Sequence, residues 1–275
     1  MPILNCSIPR SLETALANQV RSTGQTLAQI VSSTLAHCLN VPLHTLFQVS
    51  TSGALVKGVY EGAVSAGVLK RHGNFGLGTF EDLDGEMAIL EGHIYQAKGD
   101  GTVVEAPDSA SAPFAVVTQF EPDEIGAFEH VEDIGQLTSQ CDTYRQSNNL
   151  FYAFRIDGHF ERVHTRAMRA TTAPLAQAAA SQPEFEFHNV DGTLVGIWSP
   201  QFASAFNVPG YHFHFLSLDR SKGGHLLDCT AGNLHVQIEK LSDLHISLPE
   251  SEEFLKADFS QDPSTALAYA EQVHK

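Results

Sequence analysis

No stretch of this 275-residue chain approaches the roughly 18 consecutive apolar residues that a membrane-spanning helix requires. No basic segment followed by an apolar one opens the chain, so no secretory leader is read and a cytoplasmic location is expected. Positive charge is scarce. With 16 Lys and Arg against 32 Asp and Glu, the formal charge is -16, which argues against a phosphate-binding surface over the whole protein and against nucleic acid as a partner. The same field would repel a small anionic substrate, so a site for one has to supply its own positive charge, from metal and arginine. Only four cysteines are present, Cys6, Cys38, Cys141 and Cys229, and none forms a Cys-x-x-Cys pair. A cysteine zinc site and a redox dithiol are therefore not expected; reduced, mostly buried thiols are. Internal repeats and long low-complexity linkers are also missing. What is plentiful is apolar material, 43% of residues, enough for one large or two moderate domains.

The first forty residues differ in pattern from the rest. Residues 3–8 alternate like a short strand, and Pro9 opens a helical stripe of Leu12, Ala15, Leu16 and Val20 that ends at Thr23-Gly24. A second helix, with Leu27, Ile30, Val31 and Leu35 on one face, stops before Asn40-Val41-Pro42. Strand, helix, turn, helix in this order resembles a ribbon-helix-helix module, in which two chains pair to share a core. DNA-binding members present basic or polar side chains from the strand, and this strand has no Lys or Arg, so dimerisation is favoured over DNA binding. A helical hairpin packed on its own catalytic part is the competing reading. The expected domains are thus 1–40 and 46–275.

From Leu46 onward the pattern is one of short strands broken by glycine. Helices are expected over 52–58, 63–72 and 129–146, and a short one within 171–181. Strands are expected over 116–120, 150–156, 159–164, 193–198, 234–238 and 244–248, with hairpins at Asp157-Gly158 and Asp191-Gly192. The fold class is α+β, with mixed and antiparallel β-sheets and flanking helices.

One block stands apart: Gly210-Tyr211-His212-Phe213-His214-Phe215, followed by Gly223-Gly224-His225. On a strand, His212 and His214 share one face while Tyr211, Phe213 and Phe215 turn to an apolar core. If the chain reverses between Asp219 and Gly224, His225 returns on a neighbouring strand. Three imidazoles with an open fourth position are what catalytic zinc uses. Ordinary histidines at the edge of a core are the plainer explanation, and the third histidine behind Gly-Gly weakens it. Cupin-type metal enzymes also use His-x-His, but they place a glutamate shortly after it, where this chain has only Asp219.

Further words in the sequence narrow the reading. They include Phe47-Gln48-Val49-Ser50, Gly58-Val59-Tyr60-Glu61-Gly62, His72-Gly73-Asn74-Phe75-Gly76-Leu77-Gly78-Thr79-Phe80, Leu83-Asp84-Gly85-Glu86, Asn149-Leu150-Phe151-Tyr152-Ala153 and His164-Thr165-Arg166. With the histidine block, and in this order, they make the region from Leu46 to the C-terminus resemble the acetolactate decarboxylases. The resemblance implies decarboxylation of 2-acetolactate to acetoin, with zinc on His212, His214 and His225 chelating the hydroxy-keto group and stabilising the enediolate. It implies catalytic roles for Glu86, for a glutamate in the tail matched to Glu271, and for Arg166, which either holds the carboxylate or lies beside the carbon that is protonated. Thr79, seven residues before Glu86, is expected to line the same pocket, and a homodimer or higher homo-oligomer is expected. Each residue has a plainer reading: Glu86 as a turn residue, Arg166 as a surface ion pair like Arg155, Arg162 or Arg169, and Glu271 as part of a fraying tail with Glu250, Glu252 and Glu253 as competitors. The rival function is a cupin-like metal enzyme acting on another small hydroxy-keto acid.

Overall fold

The computed structural model describes residues 5–39, 41, 43–261, 263 and 266–267. The chain divides into two compact units, Met1–Leu43 and His44–Lys275. The first consists of two helices, α1 (Arg10–Thr23) and α2 (Leu27–Leu39). α1 begins after Pro9 and ends at Gly24, whose φ of 71° is the left-handed conformation that glycine adopts most readily; its N–H donates to the Val20 carbonyl at 3.0 Å. α2 opens on a reciprocal cap. The Gln29 N–H donates to Thr26 Oγ1 at 3.2 Å, and the Thr26 N–H donates to Gln29 Oε1 at 2.8 Å. The strand expected over 3–8 is not formed at residues 5–8, which have no ladder partner among the described residues; residues 3 and 4 lie outside them. A lone extended segment has nothing to satisfy its backbone but water. The apolar stripes stay largely uncovered: Leu12, Leu27 and Leu35 are exposed, and only Ile30 and Ala36 in the two helices are buried.

The second unit runs β1 (Thr45–Val49), α3 (Ser52–Val56), β2 (Val64–Ser65), α4 (Ala66–His72), β3 (Phe75–Thr79), β4 (Glu86–Leu90), β5 (His93–Ala97), β6 (Val103–Glu105), β7 (Ser111–Ala112), β8 (Phe114–Thr118) and β9 (Glu124–Phe128). Then come α5 (Ile134–Asp142), β10 (Phe151–Arg166), α6 (Leu175–Ala180), β11 (Glu184–Ser199), β12 (Gly210–Ser217), β13 (Gly223–Leu241), β14 (Asp243–Ser247) and α7 (Glu252–Lys256). A seven-stranded sheet has the order β14-β1-β8-β3-β4-β5-β6, antiparallel except where β1 lies parallel to β14. A five-stranded sheet has the order β10-β11-β12-β13-β9, and β10 also pairs with β13, so these strands curl back on themselves. The architecture is α+β, with one mixed and one antiparallel large sheet. No helix among the described residues is long and apolar enough to cross a membrane.

Two-residue alternation builds two core layers. In β10, Phe151 and Ala153 face the first sheet, meeting Leu46, Phe75, Leu77 and Val116. Tyr152, Phe154 and Ile156 face the other way, toward Leu137 and Cys141 of α5. Burying one such large apolar side chain is worth about 1.5–3 kcal/mol, so a one-residue slip that swapped the two faces would be heavily penalised. This packing locks the register on which the histidine block depends.

Several local expectations are corrected. β10 and β11 run through both Asp-Gly pairs without turning, and Gly158 pairs with Gly192 in mid-sheet. A Cβ on Gly158 would lie 2.6 Å from the Leu234 side chain, and one on Gly192 would lie 2.4 Å from Phe215. The glycines admit facing side chains rather than reversing the chain, and long-range pairing on both flanks of β10 overrides the local turn preference. The helix expected over 63–72 starts only at Ala66, because Val64 and Ser65 pair with β7. That over 129–146 shrinks to α5, opened by Asp133, whose side chain accepts from the Gln136 N–H. Of the four thiols, only Cys141 and Cys229 are buried; Cys6 and Cys38 are exposed, and all four are free.

Candidate metal centre

The three histidines come together through one short stretch of ladder. β12 turns over at residues 218–222 into β13, which pairs His214 directly with His225. On its other side β13 pairs with β10, setting Arg166 against His225. Directly paired residues project from the same face of a sheet, so Arg166, His225 and His214 stand in a row. His212, two residues from His214, joins them. Phe213 and Phe215 point to the opposite, apolar layer as expected. Gly224 makes the row possible. Its φ is 141°, and a Cβ there would lie 2.6 Å from the Arg166 carbonyl, prising β13 from β10 beside the site.

His212 Nε2 lies 3.1 Å from His214 Nε2 and 3.1 Å from His225 Nδ1. The His214 ring is oriented from the facing sheet. Its Nδ1 lies 2.7 Å from the Met87 carbonyl of β4, which can only accept, so Nδ1 carries the proton and Nε2 presents its lone pair to the other histidines. Burial, with the Arg166 guanidinium adding to it, pushes His212 down to about 3 and His225 well below the usual imidazole range. All ligand nitrogens lie within 4.8 Å of one another, and no other cluster of this kind is found among the described residues. Neutral imidazoles about 3.3 Å apart are what a tetrahedral ion with metal–nitrogen bonds of roughly 2.0–2.1 Å requires, so this donor set fits a divalent metal.

The remaining groups arrive from different elements. Glu86 opens β4 directly opposite Thr79 of β3, and its Oε2 is 3.5 Å from His214 Nε2. The turn before it needs Gly85, at φ 90°, where a Cβ would come 2.4 Å from the Ala97 carbonyl; Thr79 Oγ1 donates to the Gly85 carbonyl at 2.8 Å. Glu86 is buried, which a plain turn residue would not be. Of the four neighbouring arginines only Arg166 is buried. Arg155 binds Asp157 and Glu91, Arg162 binds Asp228, and Arg169 donates to the Gly99 carbonyl. Thr79, Glu86, Arg166, His212 and His225 line one cavity of about 60 Å³. Asp219, the sole acid close after the histidine pair, bonds to Ser217 and Ser221 instead. Glu271 lies outside the described residues, and Glu250, Glu252 and Glu253 are exposed and do not line the cavity. His93, His159 and His188 are exposed beside surface carboxylates, in keeping with structural or surface roles.

Two features of the site escaped the reading from sequence. One is the Met87 carbonyl, a backbone group with no side-chain signature. The other is the apolar part of the cavity lining, Leu55, Leu83, Phe114, Met168, Leu175, Val208 and Leu267, none of which carries a local sign of lining a site.

Comparison with known proteins identifies the family of the chain. A family model described as alpha-acetolactate decarboxylase matches residues 46–261. The chain is 41% identical over 240 residues to the alpha-acetolactate decarboxylase of Methylococcus capsulatus, covering 86% of this chain and 92% of that one. It is 38% identical over 237 residues to that of Brevibacillus brevis, covering 85% and 83%. The crystal structure of alpha-acetolactate decarboxylase from Bacillus subtilis strain 168 aligns with a TM-score of 0.81 at 33% identity, over 83% of this chain and 100% of that one. A match of this length and identity, over the unit that holds the histidine cluster, means that the chain belongs to the alpha-acetolactate decarboxylase family and is a carboxy-lyase.

Proposed function

We propose that this protein converts 2-acetolactate to acetoin and carbon dioxide, with zinc held by His212, His214 and His225. The observation that carries the reading is a cluster of three imidazoles, two of which line one small cavity together with a buried guanidinium and a buried carboxylate. Zinc bound there would supply Lewis-acid stabilisation to the adjacent hydroxyl and keto oxygens of a 2-hydroxy-3-keto acid. Arg166 offers the substrate carboxylate a two-pronged cationic contact and supplies the local positive charge that a chain of net charge -16 otherwise lacks. Glu86 takes the hydroxyl proton on its carboxylate and passes it to the carbon that has lost carbon dioxide, and a proton from solvent restores the hydroxyl. Thr79 steadies the turn that aims Glu86, and Glu271 is assigned a second carboxylate role on the family resemblance alone. The purified protein is expected to form acetoin from racemic 2-acetolactate, to lose more than about 99% of that activity on chelation, and to recover it with zinc. Absence of acetoin from fully zinc-loaded protein would overturn the substrate; undiminished turnover after complete metal removal would overturn the role of the metal.

For the first unit we propose pairing with a second copy, giving a homo-oligomer, and for the protein as a whole a cytoplasmic location, supported by two exposed free thiols. Residues 1–43 hold only Arg10, Glu13 and Arg21 as charged residues, close to neutrality in a chain of net charge -16. Two copies can therefore meet through this unit without the repulsion that their acidic remainders impose. Two helices alone are too small for a self-sufficient core, and the exposed Leu12, Leu27 and Leu35 call for cover. Removing residues 1–40 should lower the assembly mass measured by light scattering while turnover per site persists. An unchanged mass would refute pairing through this unit.

A further inference from the structure

We propose that Leu267 sets the size of the alkyl group that the substrate can carry beside the metal centre, an inference that rests on the decarboxylase reading above. A 2-hydroxy-3-keto acid has two kinds of surface: oxygens and carboxylate on one, alkyl substituents on the other. The cavity lining offers both kinds of contact. His212, His225, Arg166 and Glu86 supply the polar ones, which leaves the alkyl groups to Phe114 and to the aliphatic Leu55, Leu83, Met168, Leu175, Val208 and Leu267.

These residues are not equivalent. Leu83, Met168, Leu175, Val208 and Leu267 pack with Tyr60 in one buried cluster, and Val208 follows Asn207, whose side chain donates to Gln48 Oε1 at 2.9 Å within the interior. Leu267 comes instead from the C-terminal segment, where its N–H donates to the Pro263 carbonyl at 3.0 Å, and its side chain is only 3% exposed. The same segment bounds a second, larger apolar cavity of about 750 Å³ with Pro263, Ala266, Phe254 and Phe259. Leu55, Leu175 and Leu267 line the small cavity while their chain neighbours Val56, Ala176 and Ala266 line the larger one. The first two sit on α3 and α6, which pack on each other. Leu267 is the one of these three outside that helix pair, and shortening it enlarges the small cavity on the side of the C-terminal segment.

The test compares kcat/KM for 2-acetolactate with that for its homologue bearing ethyl in place of methyl at carbon 2, using the full-length, zinc-loaded protein. One methylene in an apolar pocket is worth roughly 10–200-fold in discrimination. Leu267→Ala should shift the ratio toward the ethyl substrate by about tenfold or more, and Leu267→Phe should shift it the other way, while the volume-conserving Leu267→Met keeps it within about threefold. Phe259→Ala, which loosens the same segment from the larger cavity, should leave the ratio as it is. An unchanged ratio in both the Ala and Phe variants, with zinc and acetolactate turnover retained, would overturn the assignment. So would an equal shift in Phe259→Ala, which would trace the effect to a detached segment. A wild-type protein that binds zinc and turns over neither substrate would refute the decarboxylase reading itself, and the inference with it.

Discussion

His212→Ala is expected to lose bound zinc and turnover together. His212 Nε2 is the nitrogen common to both short contacts in the cluster, 3.1 Å from His214 and 3.1 Å from His225, so its loss leaves two donors where three converge. Loss of an outer-shell partner of a metal ligand typically costs about 10–100-fold in affinity or activity, and loss of a ligand itself should exceed that. Zinc content by elemental analysis and acetoin formation on the same preparation read both effects. Full zinc stoichiometry in the variant would sink the ligand assignment, whatever happened to the rate. The fold should survive, because the histidine faces the cavity while its neighbours Phe213 and Phe215 hold β12 in the core.

Glu86→Gln is the second large effect. The change keeps shape and removes charge, and the turn before it rests on Gly85 and on the bond from Thr79 Oγ1 to the Gly85 carbonyl, neither of which needs a carboxylate. The melting temperature should hardly move. Turnover should fall on the order of 10²–10⁴-fold, the usual contribution of a positioned acid or base. Zinc content measured alongside separates a proton-handling group from a metal ligand, since Glu86 Oε2 lies 3.5 Å from His214 Nε2 and the two roles differ in whether metal is retained. Near-normal turnover would return Glu86 to the status of a turn residue.

Local signals were dependable where the physics is local. Gly24 ends α1 because a left-handed residue is needed there, and Thr26 with Gln29 caps α2 through contacts spanning three residues. They misled at Asp157-Gly158 and Asp191-Gly192, where a turn preference worth little was outweighed by the pairing of β10 with strands on both sides, which resumes past a register shift after Gly158. The helix expected over 63–72 lost its first residues for the same reason, to a strand pairing with β7 that no local window contains.

The candidate site divides along the same line. The alternation of β12 put His212 and His214 on one face and the aromatics on the other, the loop from Asp219 to Gly224 allowed His225 to return on a neighbouring strand, and the charge of -16 demanded a local cation. All of this was determined by the sequence itself, because side-chain period, backbone sterics and net charge are properties of the chain. Which of Arg155, Arg162, Arg166 and Arg169 is buried, the meeting of Glu86 with His214 across two sheets, the orientation of His214 by the Met87 carbonyl and the entry of Leu267 into the cavity were decided only by the tertiary structure. Each depends on elements far apart in the chain, and their mutual placement is set by apolar burial summed over both sheets, a quantity that no short stretch of residues encodes.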